Sequence, residues 1–412
     1  MSPTFSSLAV RNYRLFATGQ VISLSGTWAQ RVAQDWLVLQ LSHDSGSALG
    51  VVTALQFLPV LLFGLYGGLL ADRYDKRRLL AGAQVSMGVL ALVLGVLNVT
   101  GTVQLWHVYV LAFALGLATV VDTPTRQAFV SEMVEPADLP NAVSLNSATF
   151  NASRILGPAL AGLAIAQWGT GPVFLANALS YAAVVTGLAR MRPAELLRST
   201  PTPRQRGQLR EGLRYVRERR HLAVPILLVF MVGTFGLNFQ ITLSLVAKLV
   251  FHRGASQFGL LTSAFALGSL IGALASAGRG RPSPRRMVLA ALAFGVLEVA
   301  VGLAPSFGSM MVLLVPTGAA VLLFTTSANA IVQLGTDAAV RGRVMALYVL
   351  VFLGGTPVGA PLVGLLAEHL GPRASLTIGG AVCAVSAVVA GVLLSERQPT
   401  SRYRGALTRI AL

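Results

Sequence analysis

The chain has 412 residues, of which 54% are hydrophobic and only 11% are charged. Soluble domains average about 25% charged residues, so this composition excludes a water-soluble globule and indicates a membrane protein. At roughly 30 to 35 residues for each spanning helix with its loop, the length accommodates about twelve crossings. In a membrane protein, the net charge of +17 is explained by basic residues in the cytoplasmic loops, where they are expected to gather. We expect no nucleic-acid partner.

Cysteine and histidine give no sign of catalytic or metal chemistry. Cys383 is the single cysteine of the sequence and lies in a hydrophobic run, which excludes a disulfide framework. The five histidines fall at different segment ends and never pair at a metal-ligand spacing. The sequence has no G-x-x-x-x-G-K-[ST] loop for a nucleotide. We therefore expect no metal, no cofactor and no enzymatic activity.

Hydrophobic runs separated by loops predict an all-helical membrane protein with twelve spanning helices. The first six runs lie at 15–40, 47–71, 79–99, 106–130, 142–166 and 173–190. The other six lie at 222–246, 257–277, 287–304, 309–333, 344–367 and 374–394. The polar connection between the two sets is rich in arginine and proline, and its segment LREGLRYVRERR predicts a surface helix.

These runs divide the chain into two six-helix bundles joined by a linker. The expected boundaries are 1–190 for the first bundle, 191–221 for a cytoplasmic linker, 222–395 for the second bundle and 396–412 for a cytoplasmic tail. With both termini in the cytoplasm, most of the 32 Lys and Arg residues fall on the cytoplasmic side, and only Lys248, Arg253 and Arg373 fall outside. This asymmetry predicts a multi-pass protein of the cell (inner) membrane, which we expect to be a monomer.

The two halves resemble each other in sequence. LGVVTAL from Leu49 recurs as FGLLTSA from Phe258, and GPALAGLAI from Gly157 recurs as GAPLVGLLA from Gly359. Parallel repeats of this kind are typical of transporters whose halves rock about a site near the middle of the bilayer. The pattern predicts alternating access.

The loop between the second and third predicted helices reads GGLLADRYDKRRLL from Gly67. It resembles the loop signature of the major facilitator superfamily, matched by Gly68, Asp72, Arg73, Lys76 and Arg77, with Asp75 where the commonest form has glycine. The resemblance implies two six-helix bundles and a gate: the carboxylate caps the positive end of a neighbouring helix, and the arginines pair with acids to hold the cytoplasmic side shut. Alternatively, these charges only anchor the topology.

Other segments resemble one branch of that superfamily. SRILGPALAG, with Gly157, Pro158 and Gly162, is similar to a motif of antiporters, although close packing of small residues explains the glycines equally well. VDTPTRQAFVSEMV and SGTWAQRVAQDWLVLQL resemble enterobactin exporters and macrolide efflux pumps. The resemblance implies proton-coupled efflux of a small amphipathic compound, such as a drug, a macrolide or a siderophore-like molecule. A carrier of lysophospholipid or another lipid is the alternative.

Charges within the predicted spans are candidates for proton coupling, because each costs about 2.5 to 3.5 kcal/mol at a helix centre. Arg31 and Asp35 share one face of the first helix, and Arg154 lies near the middle of the fifth. Asp35 is our favoured proton carrier. The alternative is a static Arg31–Asp35 pair that only allows the helix to insert.

Two further acids have structural alternatives. Asp122 is a candidate for proton coupling, but its depth also places it within reach of Arg73 or Arg77, and we favour that gate ion pair. Glu298 lies two-thirds along the ninth helix, from where it reaches the outer headgroups if that helix is peripheral.

A substrate cavity between the bundles should be largely apolar, with a few polar groups. The candidate lining residues are Trp28, Trp36, Gln56, Asn146, Asn151, Asn177, Phe235, Asn238, Phe239, Phe324, Asn329 and Phe352.

Overall fold

A computed structural model describes residues 3–197, 208–277, 283–337 and 340–395. The first group of helices comprises α1 (Arg11–Leu41), α2 (Gly46–Arg73), α3 (Lys76–Val99), α4 (Leu105–Met133), α5 (Leu139–Trp168) and α6 (Thr170–Ala189). The linker contains α7 (Gln208–Arg217). The second group comprises α8 (Arg220–Met231), α9 (Phe239–Leu245), α10 (Ala255–Ala277), α11 (Pro284–Gly302), α12 (Phe307–Leu334), α13 (Arg341–Leu370) and α14 (Pro372–Ser395).

The seventh predicted run is one interrupted helical segment. Two π-helical turns, Val232–Gly236 and Val246–Val250, follow α8 and α9 and join them into the stretch Arg220–Val250. The first turn lies where Gly359 of α13 packs against the carbonyl oxygen of Thr234. Single π-helical turns often mark functional positions in helices.

The predicted runs lie within the observed helical segments, apart from one residue at the end of the sixth run and two at the end of the ninth. Among the described residues, nine helices are long and apolar enough to cross a membrane by themselves. The other three long helices are α1, α5 and α11, and they carry Arg31, Asp35, Arg154 and Glu298. The helices with the weakest hydrophobic signal therefore contain these four charges, whereas the candidate Asp122 lies on the more apolar α4.

Matching packing relates the two groups. In the first group α2 packs on α4 and α3 packs on α6, and in the second group α10 packs on α12 and α11 packs on α14. The groups meet where α2 packs on α13 and where α5 packs on α10. The sequence repeats lie at these two contacts, so the symmetry predicted from sequence is also present in the packing.

The bundle has two ends, which we name by the chain termini. The terminal side holds the start of α1, the end of α14 and the loop between α2 and α3. The far side holds the connections after α1, before α10 and before α14. Many large apolar side chains on the outer surface are exposed, such as Leu179 at 74% and Leu274 at 68%. Such an apolar exterior is what a bilayer requires.

The linker helix α7 confirms the predicted surface helix and packs against α13. The Tyr215 hydroxyl donates a hydrogen bond to an Asp337 carboxylate oxygen at 2.7 Å. This contact attaches the linker to the second group. Residues 198–207 of the linker and the predicted tail, 396–412, lie outside the described residues.

Candidate functional site

Two arginine guanidinium groups lie against the ring of Trp28, near the middle of α1 and α5. The Arg31 Cζ atom is 4.6 Å from the centroid of this ring, and the Arg154 Cζ atom is 5.8 Å from it. Phe150 meets Trp28 edge-on, with 5.8 Å between the ring centroids. The aromatic face attracts both cations. We call Trp28, Arg31 and Arg154 the arginine cluster.

The second group provides an aromatic wall beside this cluster. The Arg154 Cζ atom lies 5.7 Å from the centroid of Phe265 on α10. Phe265 stacks on Phe239 with 4.5 Å between centroids, and Phe239 meets Phe294 edge-on at 6.1 Å. Arg154 therefore contacts both groups of helices, and the arginine cluster lies where they meet.

Asp35 lies one turn beyond Arg31 on α1 and is 5% exposed. Its Oδ2 atom has no hydrogen-bond partner among the described residues, and neither has the Arg31 Nε atom. Arg31 and Asp35 interact electrostatically, but they form no salt bridge or hydrogen bond with each other in this conformation. Arg31 instead lies over the rings of Trp28 and Phe57, the latter 5.7 Å away. A buried carboxylate without a hydrogen-bond partner is costly, so Asp35 stays a candidate for proton coupling.

Asp122 is held within its own group of helices. Its Oδ2 atom lies 3.4 Å from Arg126 Nε one turn along α4, and its Oδ1 atom accepts a 2.6 Å hydrogen bond from Gln84 on α3. The predicted ion pair with Arg73 or Arg77 is therefore wrong in this conformation. With two partners Asp122 is the better satisfied acid, which leaves Asp35 as the stronger proton candidate.

Glu298 does not reach the surface. Its side chain is 2% exposed, because α11 packs between α12 and α14. The Oε2 atom has no hydrogen-bond partner in the described part of the chain, and Oε1 lies against Gly379, where a Cβ atom would approach it to 3.3 Å. The predicted contact with the outer headgroups is wrong.

The loop after α2 uses only some of its charges in this conformation. Lys76 pairs with the buried carboxylate of Glu132 at 2.7 Å, and Arg77 Nε donates to the carbonyl oxygen of Leu188 at 2.7 Å. Asp75 accepts a hydrogen bond from the Arg78 backbone N–H at 3.0 Å. The residue that replaces glycine here is thus the N-cap of α3.

Asp72 and Arg73 of the same loop have no ion-pair or hydrogen-bond partner among the residues that the structure describes. Gly68, Asp72 and Arg73 lie at the end of α2, the helix that packs on α13 of the other group. Val340, the residue that precedes α13, provides no side-chain cap to that helix. The interface therefore has an unpaired carboxylate on one helix and an uncapped N-terminus on its neighbour.

Four predicted lining residues serve structural roles elsewhere. Asn177 is 1% exposed and its amide donates to Gln30 at 2.6 Å, and Phe324 is 0% exposed, so both lie inside bundles. Trp36 stacks on Phe258 at the far side. Asn238 is 5% exposed and donates to the backbone of its own segment. Sequence position alone does not distinguish these orientations.

The remaining predicted lining residues are compatible with a central cavity. Trp28 and Phe239 belong to the arginine cluster and its aromatic wall. Gln56 accepts a hydrogen bond from Gln34 at 3.0 Å, and the aromatic ring of Phe352 stacks on Tyr348. Four more are partly exposed: Asn146, Asn151, Phe235 and Asn329.

Ionic contacts that the sequence analysis missed join the two groups at the far side. Asp44 after α1 pairs with Lys248 of the second group. The Ser45 hydroxyl and the Ser47 backbone N–H both donate to Glu368 Oε2 at 2.8 Å. The sequence contained one indication of these contacts, because Asp44 and Glu368 are acids that follow predicted spans on the far side.

Glycines bring the backbones of the two groups together below these contacts. A Cβ atom at Gly50 would lie 2.6 Å from the carbonyl oxygen of Ala360. A Cβ atom at Gly259 would overlap the carbonyl oxygen of Pro158. Ser256 donates to the carbonyl oxygen of Gly162 at 3.0 Å. Pro158 and Gly162 of the predicted antiporter motif therefore form part of this closure.

The other glycine of that motif packs within the first group. A Cβ atom at Gly157 would lie 2.6 Å from the Trp28 Cβ atom, so Gly157 sets the distance between α5 and the arginine cluster. Among the described residues, the hydrogen bonds and ion pairs between the two groups extend from the far side to a contact of Ser263 with Ile155 near the middle, at 2.6 Å. The structure is closed at the far side.

Comparisons with known proteins agree with this architecture. A sequence profile described as transmembrane secretion effector matches residues 2–401. Macrolide efflux protein A of Streptococcus pyogenes is 23% identical over 406 residues, covering 96% of this chain and 98% of that one. The staphyloferrin A transporter of Staphylococcus aureus is 27% identical over 271 residues. That match covers 63% of this chain and 66% of the relative, just under two thirds.

Solved structures show the same fold. The crystal structure of nucleoside transporter NupG aligns with a TM-score of 0.74 at 12% sequence identity, covering 94% of this chain and 100% of that one. At this identity the likeness concerns the arrangement of helices alone.

Proposed function

Because the chain belongs to the transmembrane secretion effector family of the major facilitator superfamily, we propose that it exports a small amphipathic compound in exchange for protons. Its relatives are transporters, and the chain is a transporter rather than an enzyme. The observation that supports exchange is the arginine cluster with the unpaired Asp35 beside it, at the interface between the two groups. The named relatives include a macrolide efflux protein and a siderophore transporter, which favours export of a compound of that size.

The proposed orientation places the terminal side, and both termini, in the cytoplasm. The loop after α2 on that side carries Arg73, Lys76 and Arg77, whereas the far side carries few basic residues, as expected of a cytoplasmic and an external face. With this orientation the structure is closed outside. It then corresponds to the state that receives cargo from the cytoplasm, in a transporter that acts as a monomer.

Alternating access would move the two groups as bodies. The proposed boundaries are 1–190 and 222–395, with the linker 191–221 between them, and the twelve long helical segments as the membrane crossings. The supporting observation is that the groups touch mainly through two pairs of helices, α2 with α13 and α5 with α10. A rocking motion can open these contacts at one end and close them at the other.

Closure of the cytoplasmic side would use Asp72. In the present state its carboxylate has no partner among the described residues, while the N-terminus of α13 has no side-chain cap. An anion at a helix N-terminus is stabilising by about 0.3–1 kcal/mol. The approach of α2 to α13 at this end would bring the two together, and we propose that this contact, with Gly68, Arg73, Lys76 and Arg77 around it, forms the inner gate.

The first prediction concerns this gate. Asp72→Asn should lower the population of the state closed at the cytoplasmic side by about two- to fivefold, because the amide lacks the charge that the helix dipole attracts. The measurement is thiol labelling of Asn146→Cys from the cytoplasmic side during transport, since Cys383 is 0% exposed. Labelling should rise in Asp72→Asn. Asp75→Asn is the matched control, because asparagine is an equally good N-cap; equal labelling in both variants would remove Asp72 from the gate.

The second prediction tests the function itself. Everted vesicles expose the cytoplasmic side, so adding a cargo to vesicles that hold an internal acid gradient should release protons and accumulate the cargo. A suitable panel contains erythromycin, an aromatic carboxylate and a lysophospholipid. Exchange in right-side-out vesicles alone would reverse the proposed orientation, and gradient-independent movement of every member would contradict proton coupling. Movement of the lysophospholipid alone would favour a lipid carrier.

A further inference from the structure

The arginine cluster contains more positive charge than its surroundings neutralise. Arg31 and Arg154 form no ion pair or hydrogen bond with any described residue, and the Arg31 Nε atom is buried. A guanidinium group has five N–H donors and stays charged in proteins. The aromatic ring that both arginines share attracts the charge but fills none of these donors. Two arginines therefore keep their donors available at one place.

Neighbouring acids compensate for only part of this charge. Asp35 is the nearest acid along α1, but it makes no ion pair with Arg31. Asp122 is bound by Arg126 and Gln84. Even with Asp35 ionised, the two arginines leave one positive charge in excess. Buried charges are normally paired, so the excess points to a partner that is not part of the chain.

The surroundings also define what the rest of the partner looks like. Arg154 lies between the ring of Trp28 in the first group and the ring of Phe265 in the second. Phe265 continues into a stack with Phe239. A negative group bound by the arginines would therefore have an apolar or aromatic body beside this wall, because binding sites pair apolar walls with a few polar groups.

We propose that Arg31 and Arg154 bind an anionic group of the cargo, such as a carboxylate, sulfonate or phosphate, while its apolar body packs on Phe265 and Phe239. This inference rests on the proposed function in that it names the class of compound exported. It assigns the two arginines to cargo binding, where sequence analysis placed them in proton coupling. Planar guanidinium groups suit such anions because they bind two oxygens at once.

The test compares two probes of equal size and opposite charge. Equilibrium binding of 2-naphthoate and of naphthyl-trimethylammonium is measured on the purified full chain in nanodiscs of phosphatidylcholine. 2-Naphthoate should bind about tenfold more tightly or better, a factor that corresponds to about 1.4 kcal/mol. Equal binding, or tighter binding of the cation, would overturn the proposal. Displacement of 2-naphthoate by an anionic lysophospholipid would support the same site with a headgroup as its ligand.

Variants show whether these arginines are responsible. Arg31→Gln and Arg154→Gln should each remove most of the preference for the anion, whereas Arg154→Lys should retain part of it. Arg373→Gln is the matched control, because Arg373 also lies over an aromatic ring, that of Phe251 at 5.6 Å, but at the far side. The preference should survive in this control. An unchanged preference in both cluster variants would refute the assignment.

A second measurement needs neither a cargo nor transport. In a chain whose other three tryptophans are phenylalanine, the fluorescence of Trp28 should be quenched more strongly by iodide than by caesium when each is expressed relative to its quenching of free N-acetyltryptophanamide, because the arginines concentrate anions. Arg31→Gln combined with Arg154→Gln should reverse that order. If iodide has no advantage while vesicles still exchange cargo for protons, the anion site is wrong and the proposed function stands. If iodide keeps its advantage while the vesicles do not exchange cargo for protons, the anion site stands and the proposed function is refuted.

Discussion

Asp35→Asn should reach the membrane in normal amounts and lose proton-driven accumulation of cargo. Normal folding is expected because Asp35 makes no ion pair with Arg31, so its removal leaves no new unpaired partner. Loss of coupling is expected because protonation must favour one conformation over the other by a finite free energy, and an amide cannot change its charge. The measurement is cargo uptake into everted vesicles with and without an acid interior. Uptake in the variant should fall to that of vesicles lacking the protein.

Glu298→Gln is the matched control for this experiment. Glu298 is equally buried and has an unpartnered oxygen, but it lies inside the second group, away from the arginine cluster. Proton-driven uptake should continue in that variant. If Asp35→Asn retains uptake and Glu298→Gln loses it, the proton site has been assigned to the wrong acid.

Binding gives a separate readout for Asp35. Asp35→Asn should bind 2-naphthoate at least as tightly as the unmodified chain, because removing a negative charge one turn from Arg31 increases the attraction for an anion. On this proposal, a proton at Asp35 and an anionic cargo at the arginine cluster do not compete for the same atoms. Coupling between them has to arise from the conformation that each one favours. Weaker binding in the variant would contradict this division of roles.

Gly259→Val should insert normally but hold the transporter open at the far side. A Cβ atom at this position would overlap the carbonyl oxygen of Pro158 and lie 3.3 Å from the Gly162 Cα atom, both in the other group. Overpacking of this kind costs about 1–3 kcal/mol, which corresponds to a roughly 5- to 150-fold change in the ratio of the two states. Transport should fall by a similar factor.

Accessibility measures this change directly. Ser263 bonds to Ile155 across the same interface, so Ser263→Cys should react with an impermeant thiol reagent from outside only when the far side opens. Labelling should increase strongly in Gly259→Val. Gly308→Val is the control, because a Cβ atom there meets nothing within 4 Å. If both variants leave labelling low and transport intact, the glycine contact does not control closure.

The sequence predicted the features that depend on local pattern. Hydrophobic runs located the helices, and the repeated segments at Leu49 and Phe258 predicted two related halves, which the matching helix contacts confirm. The family resemblance of the loop at Asp72 was also confirmed. These features follow from residues close together in the chain, so periodicity and spacing are sufficient to find them.

Side-chain partners depended on packing that the sequence does not specify. The spacing of Arg31 and Asp35 placed both on one face, but the choice of Arg31 between a carboxylate and the ring of Phe57 depends on how α2 lies against α1. Likewise, Asp122 is bound by Gln84 because α3 packs on α4. The assignment of proton and cargo roles to these residues stays a proposal that the variants above test.

The far-side closure combines side-chain contacts with close backbone approaches at glycines, whereas the arginine cluster and its aromatic wall are made of side chains alone. A substitution in the wall can therefore alter which compound fits without disturbing the glycine contacts at the far side. A substitution at Gly50 or Gly259 would instead impair the transport of every compound to the same extent. Under the proposed function, recognition of the cargo could therefore change while the far-side contacts of the transport cycle are kept.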